Sequence, residues 1–307
     1  MQKNLKYYYN MEIKESIITR NSSYYFKHNN SYYVFCLYDR NINEINDIYQ
    51  LSLYINQFNY YFGYIILNQN KNIITMIDNI PYVLIKTNII DNKKIKLSDI
   101  KKYSLVVNHL KNSSLNRFAW VDLWSKKIDY YEYQIDHIKN KYPKIVDSIY
   151  YYLGMAENAI SYIKDALIIN QQHDLYVSHQ RIKENDTLLD LYNPLNIIID
   201  HVTRDISEML KSFFFINNYD YEEIESYFAS LNMSLDDAKL LYGRLLYPSL
   251  YFDLYEAVIN NNTDEKEFLK IIDRVDEYEM FLYRIFLIIN KQHQLPDVVW
   301  LSRKFNY

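Results

Sequence analysis

The sequence predicts an α+β fold of two lobes, a small antiparallel sheet with one helix over residues 1–87 and a larger, mostly helical lobe over 88–307. Three observations predict it. Short β-branched and aromatic runs alternate with Asn, Ser and His turns early in the chain. Beyond Asn88, apolar residues recur every three or four positions almost to the end. A single strand-like interruption at 175–200 breaks that helical pattern.

Taken in order, 17–19, 24–26 and 32–38 read as three antiparallel strands. Ile45, Ile48, Leu51 and Ile55 then fall on one helical stripe, which predicts a helix over 42–57 packed on the sheet. Strands follow at 63–67, 73–77 and 82–86, and the first lobe closes near Thr87. In the second lobe, Ile145, Ile149, Tyr152, Ala156, Ala159 and Ile163 predict a long core helix behind Pro143, where a helix start tolerates proline. Asp220 with Glu223, and Ser234 with Asp237, have capping-box spacing and mark two more helix starts. Phe268, Ile272, Val275, Leu282, Ile285 and Ile289 predict one last long helix. The interruption reads as two short strands, 175–182 and 196–200, around a polar turn at 183–190.

Composition removes several function classes. A chain of 307 residues with 49% hydrophobic content buries a sizeable core. The net charge of -4 provides no basic field, so no nucleic-acid partner is expected. Cys36 is the only cysteine, which rules out an internal disulfide or a Cys-based zinc cluster and suits a reducing compartment. Residues 1–15 do not read as a signal peptide, and the apolar run 281–289 is interrupted by Arg284 and is far shorter than the roughly 20 residues that span a bilayer. Synthesis in the cytoplasm and no membrane span are the expectations. Three glycines, Gly63, Gly154 and Gly243, leave no room for a Walker A loop or a Gly-x-Gly-x-x-Gly cradle. The 35 tyrosines, with abundant Asn, Ile and Lys, fit AT-rich codon usage; the alternative is an adhesive or cross-linkable surface.

The interruption contains His179-Gln180-Arg181, then Asp186, then the run Asp200-His201-Val202-Thr203-Arg204-Asp205. This resembles the aminoglycoside and choline kinases, in which one strand ends in a His-x-Asp-x-x-x-x-Asn loop and the next ends in an Asp that holds magnesium. The resemblance implies the two-lobed protein-kinase-like fold from about residue 16 to 290. It places His179 on the loop histidine, Asp200 on the metal aspartate and Asp205 on the aspartate that anchors the next helix. Arg181 then stands where the catalytic Asp belongs, and a guanidinium stays protonated and cannot act as a base. Asp186 replaces the metal-binding Asn, with Asn185 adjacent, so a metal site at Asp200 and Asp186 is weakened and still open. The third strand, expected to carry a phosphate-neutralising Lys, has Cys36 or a neighbouring apolar residue there, and Glu44 is the helix carboxylate left without that partner. Lys27, one strand earlier, is a candidate substitute. The narrower resemblance, carried by 154–160 and 200–208, is to the endospore coat-associated kinase-like proteins of spore-forming Firmicutes.

Each of these residues also has a structural reading. His179 is expected to be a post bonded to loop backbone, and Asp200 and Asp205 flank Arg204 closely enough for ion pairing to compete with metal binding. Glu157 is either solvated or, if buried, paired with Arg181 or Arg204. Phe118, Trp120 and Trp124 are expected to cap a core, and Cys36 to be a small core hydrophobe. Two functions follow. One is a catalytically degenerate kinase-like module that needs no cofactor and binds other proteins, with deposition in a spore coat implied by the resemblance. The other is an unconventional phosphotransferase using ATP and magnesium, with Glu44 and Asp200 lining the nucleotide cleft.

Overall fold

The computed structural model describes residues 1–305 except 21, 90–92, 170–172 and 184; residue 184, inside the polar turn at 183–190, therefore lies outside the described residues. The elements run α1 (Gln2–Tyr9), β1 (Ile18–Arg20), β2 (Ser23–His28), β3 (Ser31–Leu37), α2 (Ile45–Phe58), β4 (Tyr64–Ile66), β5 (Thr75–Ile77), β6 (Ile80–Thr87), α3 (Leu97–Tyr103), α4 (Trp120–Ile138) and α5 (Pro143–Ile169). They continue with β7 (Tyr176–His179), α6 (Leu188–Leu191), β8 (Ile197–Asp200), α7 (Thr203–Phe215), α8 (Tyr221–Ala229), α9 (Leu235–Leu246), α10 (Ser249–Ile259), α11 (Leu269–Ile272), α12 (Val275–Asn290) and α13 (Val299–Phe305). These fall into two compact units, 1–117 with 174–200, and 118–173 with 201–305. The division does not follow the break expected at Thr87, because 88–117 and the interruption both cluster with the sheet.

In the first unit the sheet order is β1-β2-β3-β6-β4, with β5 also pairing β6, and every pairing is antiparallel. The short strands leave tight turns, and two of these need positive φ at both central positions. Asn29-Asn30 and Asp78-Asn79 supply it, at φ 46° and 59° and at φ 50° and 63°. Short polar side chains tolerate this region, so Asn and Asp do here what glycine does in most hairpins. α2 buries Ile45, Ile48, Leu51 and Ile55, the stripe read from the sequence. One sheet face, formed by Phe26, Tyr33, Phe35 and Leu84, is covered by Leu5 and Tyr9 of α1. That helix is an addition to the expected elements. The Tyr9 hydroxyl bonds Thr75 Oγ1 at 2.8 Å, and burial pushes its pKa up to about 12.

The second unit is helical. α5 starts at Pro143 and buries the predicted stripe from Ile145 to Ile163. Asp220 caps α8 through the Glu222 N–H at 2.9 Å, and Ser234 and Asp237 form the reciprocal box expected at the start of α9. The single last helix expected from Phe268 is instead broken between α11 and α12. Arg274 leaves the helical region there, at φ -110°, because its guanidinium donates to the Phe214 and Phe215 carbonyls and lies 4.3 Å over the Phe214 ring. Among the described residues, no helix is long and apolar enough to cross a membrane.

Candidate functional site

The kinase-like loop begins where β7 ends. β7 and β8 pair antiparallel, with His179 opposite Ile197 and Tyr176 opposite Asp200. The two signature residues therefore stand at opposite ends of this strand pair, about 10 Å apart along the strands. His179 is 2% exposed, and its Nε2 lies 2.7 Å from the Leu191 carbonyl; since a carbonyl only accepts, Nε2 carries the proton. Tyr103 packs against the ring at 4.4 Å. This is the post expected of it, fixing the loop to α6. Asp200 is fully buried at the end of β8. Arg181 is half-buried beyond β7. Asp186 accepts the Lys183 N–H at 2.7 Å and closes a turn, and burial raises its pKa. Among the described residues, no group of three or more His, Cys, Asp or Glu side chains gathers where a metal could sit.

Cys36 sits in β3 opposite Val83. It is 6% exposed, and burial, aided by Asp39, pushes its thiol up to about 12. Tyr25, on the neighbouring strand, is raised by burial and then by the charge of Asp190. This sheet face therefore presents a thiol and a phenol at the position where the kinase resemblance expects a cation. Lys27 extends over the Tyr32 ring at 5.9 Å.

Glu44 is not the unpartnered carboxylate that the sequence suggested. It is buried just ahead of α2, and Arg40, whose side chain is 5% exposed, donates to it through Nε at 2.9 Å and Nη2 at 2.5 Å. Arg117 pairs with its other oxygen. The same Arg40 donates through Nη1 to the Leu195 and Ile197 carbonyls at 2.9 and 2.6 Å. Arg117 N–H donates to Ile199 O at 2.8 Å, and its guanidinium to Ser114 O at 2.6 Å. Asp47, in the first turn of α2, accepts from the Ser113 hydroxyl at 2.6 Å and from the Ser114 N–H and hydroxyl at 2.8 and 2.7 Å. Two arginines thus clamp the start of α2 to the backbone of β8 and the segment before it.

In the second unit Asp205 is buried in the first turn of α7, as a helix anchor requires, and Arg204 is half-buried beside it. Glu157 is exposed, so it takes the solvated role and not that of a buried lock. Trp120 is buried in the core under the Arg244 guanidinium at 3.9 Å, and the half-buried Trp124 packs against that core and stacks on Tyr247 at 3.7 Å. A histidine cluster lies in this unit that the sequence pattern does not single out. His201 is 3% exposed, with Nε2 at 3.1 Å from Asp237 Oδ1 and Nδ1 at 2.9 Å from Thr203 Oγ1. His173 meets its ring edge-on at 5.4 Å. The only available signal was the histidine next to Asp200.

Residues 2–285 match the family model described as "Spore coat putative kinase YutH". Endospore coat-associated protein YutH of Bacillus subtilis is 28% identical over 210 residues, 60% of this chain and 61% of that protein's length. The chain thus spans less than two thirds of that relative in the match. Among solved structures, an aminoglycoside phosphotransferase from Alicyclobacillus acidocaldarius superposes with a TM-score of 0.55 at 8% identity, covering 90% of this chain and 93% of that one. A spectinomycin phosphotransferase in complex with ADP and spectinomycin gives 0.53 at 12% identity, covering 94% and 97%. The fold is that of the kinase-like aminoglycoside phosphotransferases.

Proposed function

Because the chain belongs to the spore coat putative kinase YutH family, we propose that it serves at the spore coat as a kinase-shaped module that binds other proteins and transfers no phosphate. The observation that carries this reading is the clamp on Glu44. In a working kinase a strand Lys neutralises the nucleotide phosphates and a helix carboxylate orients that Lys. Here the candidate carboxylate is held by Arg40 and Arg117. The strand offers Cys36, whose raised thiol is neutral near pH 7. Arg181 supplies no base. This donor set does not fit a magnesium nucleotide, so no phosphoryl-transfer step is assigned. Association with the endospore coat is carried over from the name of the B. subtilis relative.

The test is thermal unfolding with and without millimolar ATP and magnesium, for the native chain and Asp200→Ala. A ligand at 100 times its dissociation constant would stabilise by about 2.7 kcal/mol. The expected result is no shift in either protein. A shift in the native chain that Asp200→Ala abolishes would overturn this reading in favour of a phosphotransferase holding its metal on Asp200. Absence of the protein from purified spores would sink the coat assignment.

A further inference from the structure

We infer that α4 of one copy of this chain docks in a surface groove between α8, α12 and α13 of another, joining copies head to tail. The groove has a volume of about 460 Å³. Its floor is one face of α12, where Met280, Arg284, Leu287 and Lys291 follow one another at spacings of four and three, with Tyr283 beside Arg284. Phe281, Leu282, Ile285 and Ile289, on the opposite face, are core. Met280 and Leu287 are nevertheless 38% and 45% exposed, which leaves apolar surface in the groove.

The charges in and around the groove select its occupant. Lys291 pairs with Glu225, and Lys304 with Asp276 and Glu279. Arg284 lies 5.2 Å over the Tyr221 ring and, among the described residues, has no carboxylate partner. The groove is thus an apolar bed with one uncompensated guanidinium, in a chain of net charge -4. Its complement is the outer face of α4. Trp120, Ile128, Tyr131, Ile135 and Ile138 bury the inner face. Outside, Leu123, Tyr130, Tyr133 and His137 form a ridge at helical spacing, with Tyr133 70% exposed. Asp122, Asp129, Glu132 and Asp136, all exposed, run beside it. An aromatic ridge bordered by carboxylates is what an apolar groove with an unpaired arginine accepts, through ring packing and charge-assisted hydrogen bonds.

Groove and ridge are different surfaces of one chain, so the contact is heterologous. A joined pair keeps one unfilled groove on one copy and one unfilled ridge on the other, and assembly propagates. The proposal gives the binding-module reading its first partner and rests on that reading, but not on the state of the nucleotide cleft.

Sedimentation velocity of the full chain over a range of concentrations tests it. The native protein should rise in mass above 37.4 kDa as concentration increases. Arg284→Glu and Tyr133→Lys, both at exposed positions and checked for native circular dichroism, should each weaken association at least about tenfold. Mixed in equal amounts, the two variants should form a complex of twice the monomer mass, because the intact ridge of the first fits the intact groove of the second. A native chain that stays monomeric, variants that associate like it, or a mixture that fails to complement overturns the proposal. None of these outcomes alters the ATP result, so the two readings fail separately.

Discussion

At the scale of single residues, the Arg40–Glu44 contact outweighs the other ion pairs of the first unit. Its side chains are 5% and 10% exposed, so water screens it little, unlike the exposed Lys6–Glu12 pair. Removing one partner of a buried pair strands the other charge. Arg40→Ala also leaves the Leu195 and Ile197 carbonyls without their donor. It should destabilise the chain by about 3–5 kcal/mol, read as a lower midpoint in urea unfolding. Arg40→Met, which removes the charge and keeps much of the volume, should be no better, because Glu44 would still be left with the single, more exposed Arg117. Cys36 supports a second residue-scale prediction. With its thiol pushed up to about 12 by burial, it should resist Ellman's reagent at pH 8 in the folded protein and react fully once unfolded. Rapid reaction of the native chain would mean that this face of the sheet is open.

At the scale of elements, two helical glycines separate propensity from packing. Gly154 lies in α5 with no atom within 4 Å of an added Cβ, so Gly154→Ala should stabilise by up to about 1 kcal/mol through helix propensity alone. Gly243 lies in α9, where a Cβ would stand 2.0 Å from Ile163 Cγ2 on α5. Overpacking then outweighs propensity, and Gly243→Ala should cost about 1–3 kcal/mol. Opposite changes in thermal midpoint check both. The same contrast explains what the sequence made legible. The α2 stripe, the strands of the sheet and the Ser234–Asp237 cap were readable because their signals are local in the chain. α1 was not, since one Leu5–Tyr9 pair makes a helix only when a sheet face lies beneath it. The α11–α12 break was hidden for the same reason, because the carbonyls that draw Arg274 out belong to α7. In the candidate site, Cys36 and Arg181 could be read from their places in a motif. The clamp could not, because Arg40 and Arg117 meet at Glu44 only in the folded chain.

At the scale of the whole molecule, the acid response of the second unit can be watched by itself. The histidine cluster and all three tryptophans, Trp120, Trp124 and Trp300, belong to the second unit, so tryptophan emission reports on that unit alone. Burial, reinforced by His201, lowers the His173 pKa against the opposing pull of Asp237 and Asp236. A base with a lowered folded pKa binds protons more readily when unfolded, so stability falls as pH drops below about 6.5 toward the folded value. Burial would raise Asp237, but hydrogen bonds from His201 and Ser234 outweigh it and hold the carboxyl at about 2. A lowered carboxylate contributes stability above its unfolded pKa near 4, and that contribution is lost as pH falls toward 2. Its size, discounted for a side chain still partly in water, is roughly 1–2 kcal/mol. The midpoint by tryptophan emission should therefore fall in two stages, between pH 7 and 5 and again between pH 4 and 2. His173→Gln should flatten the first stage and Asp237→Asn the second, while Arg40→Ala, in the other unit, should leave the shape of both unchanged. A native midpoint that stays level from pH 7 to 5, or a His173→Gln curve parallel to the native one, would show that this cluster does not set the acid limit of the fold.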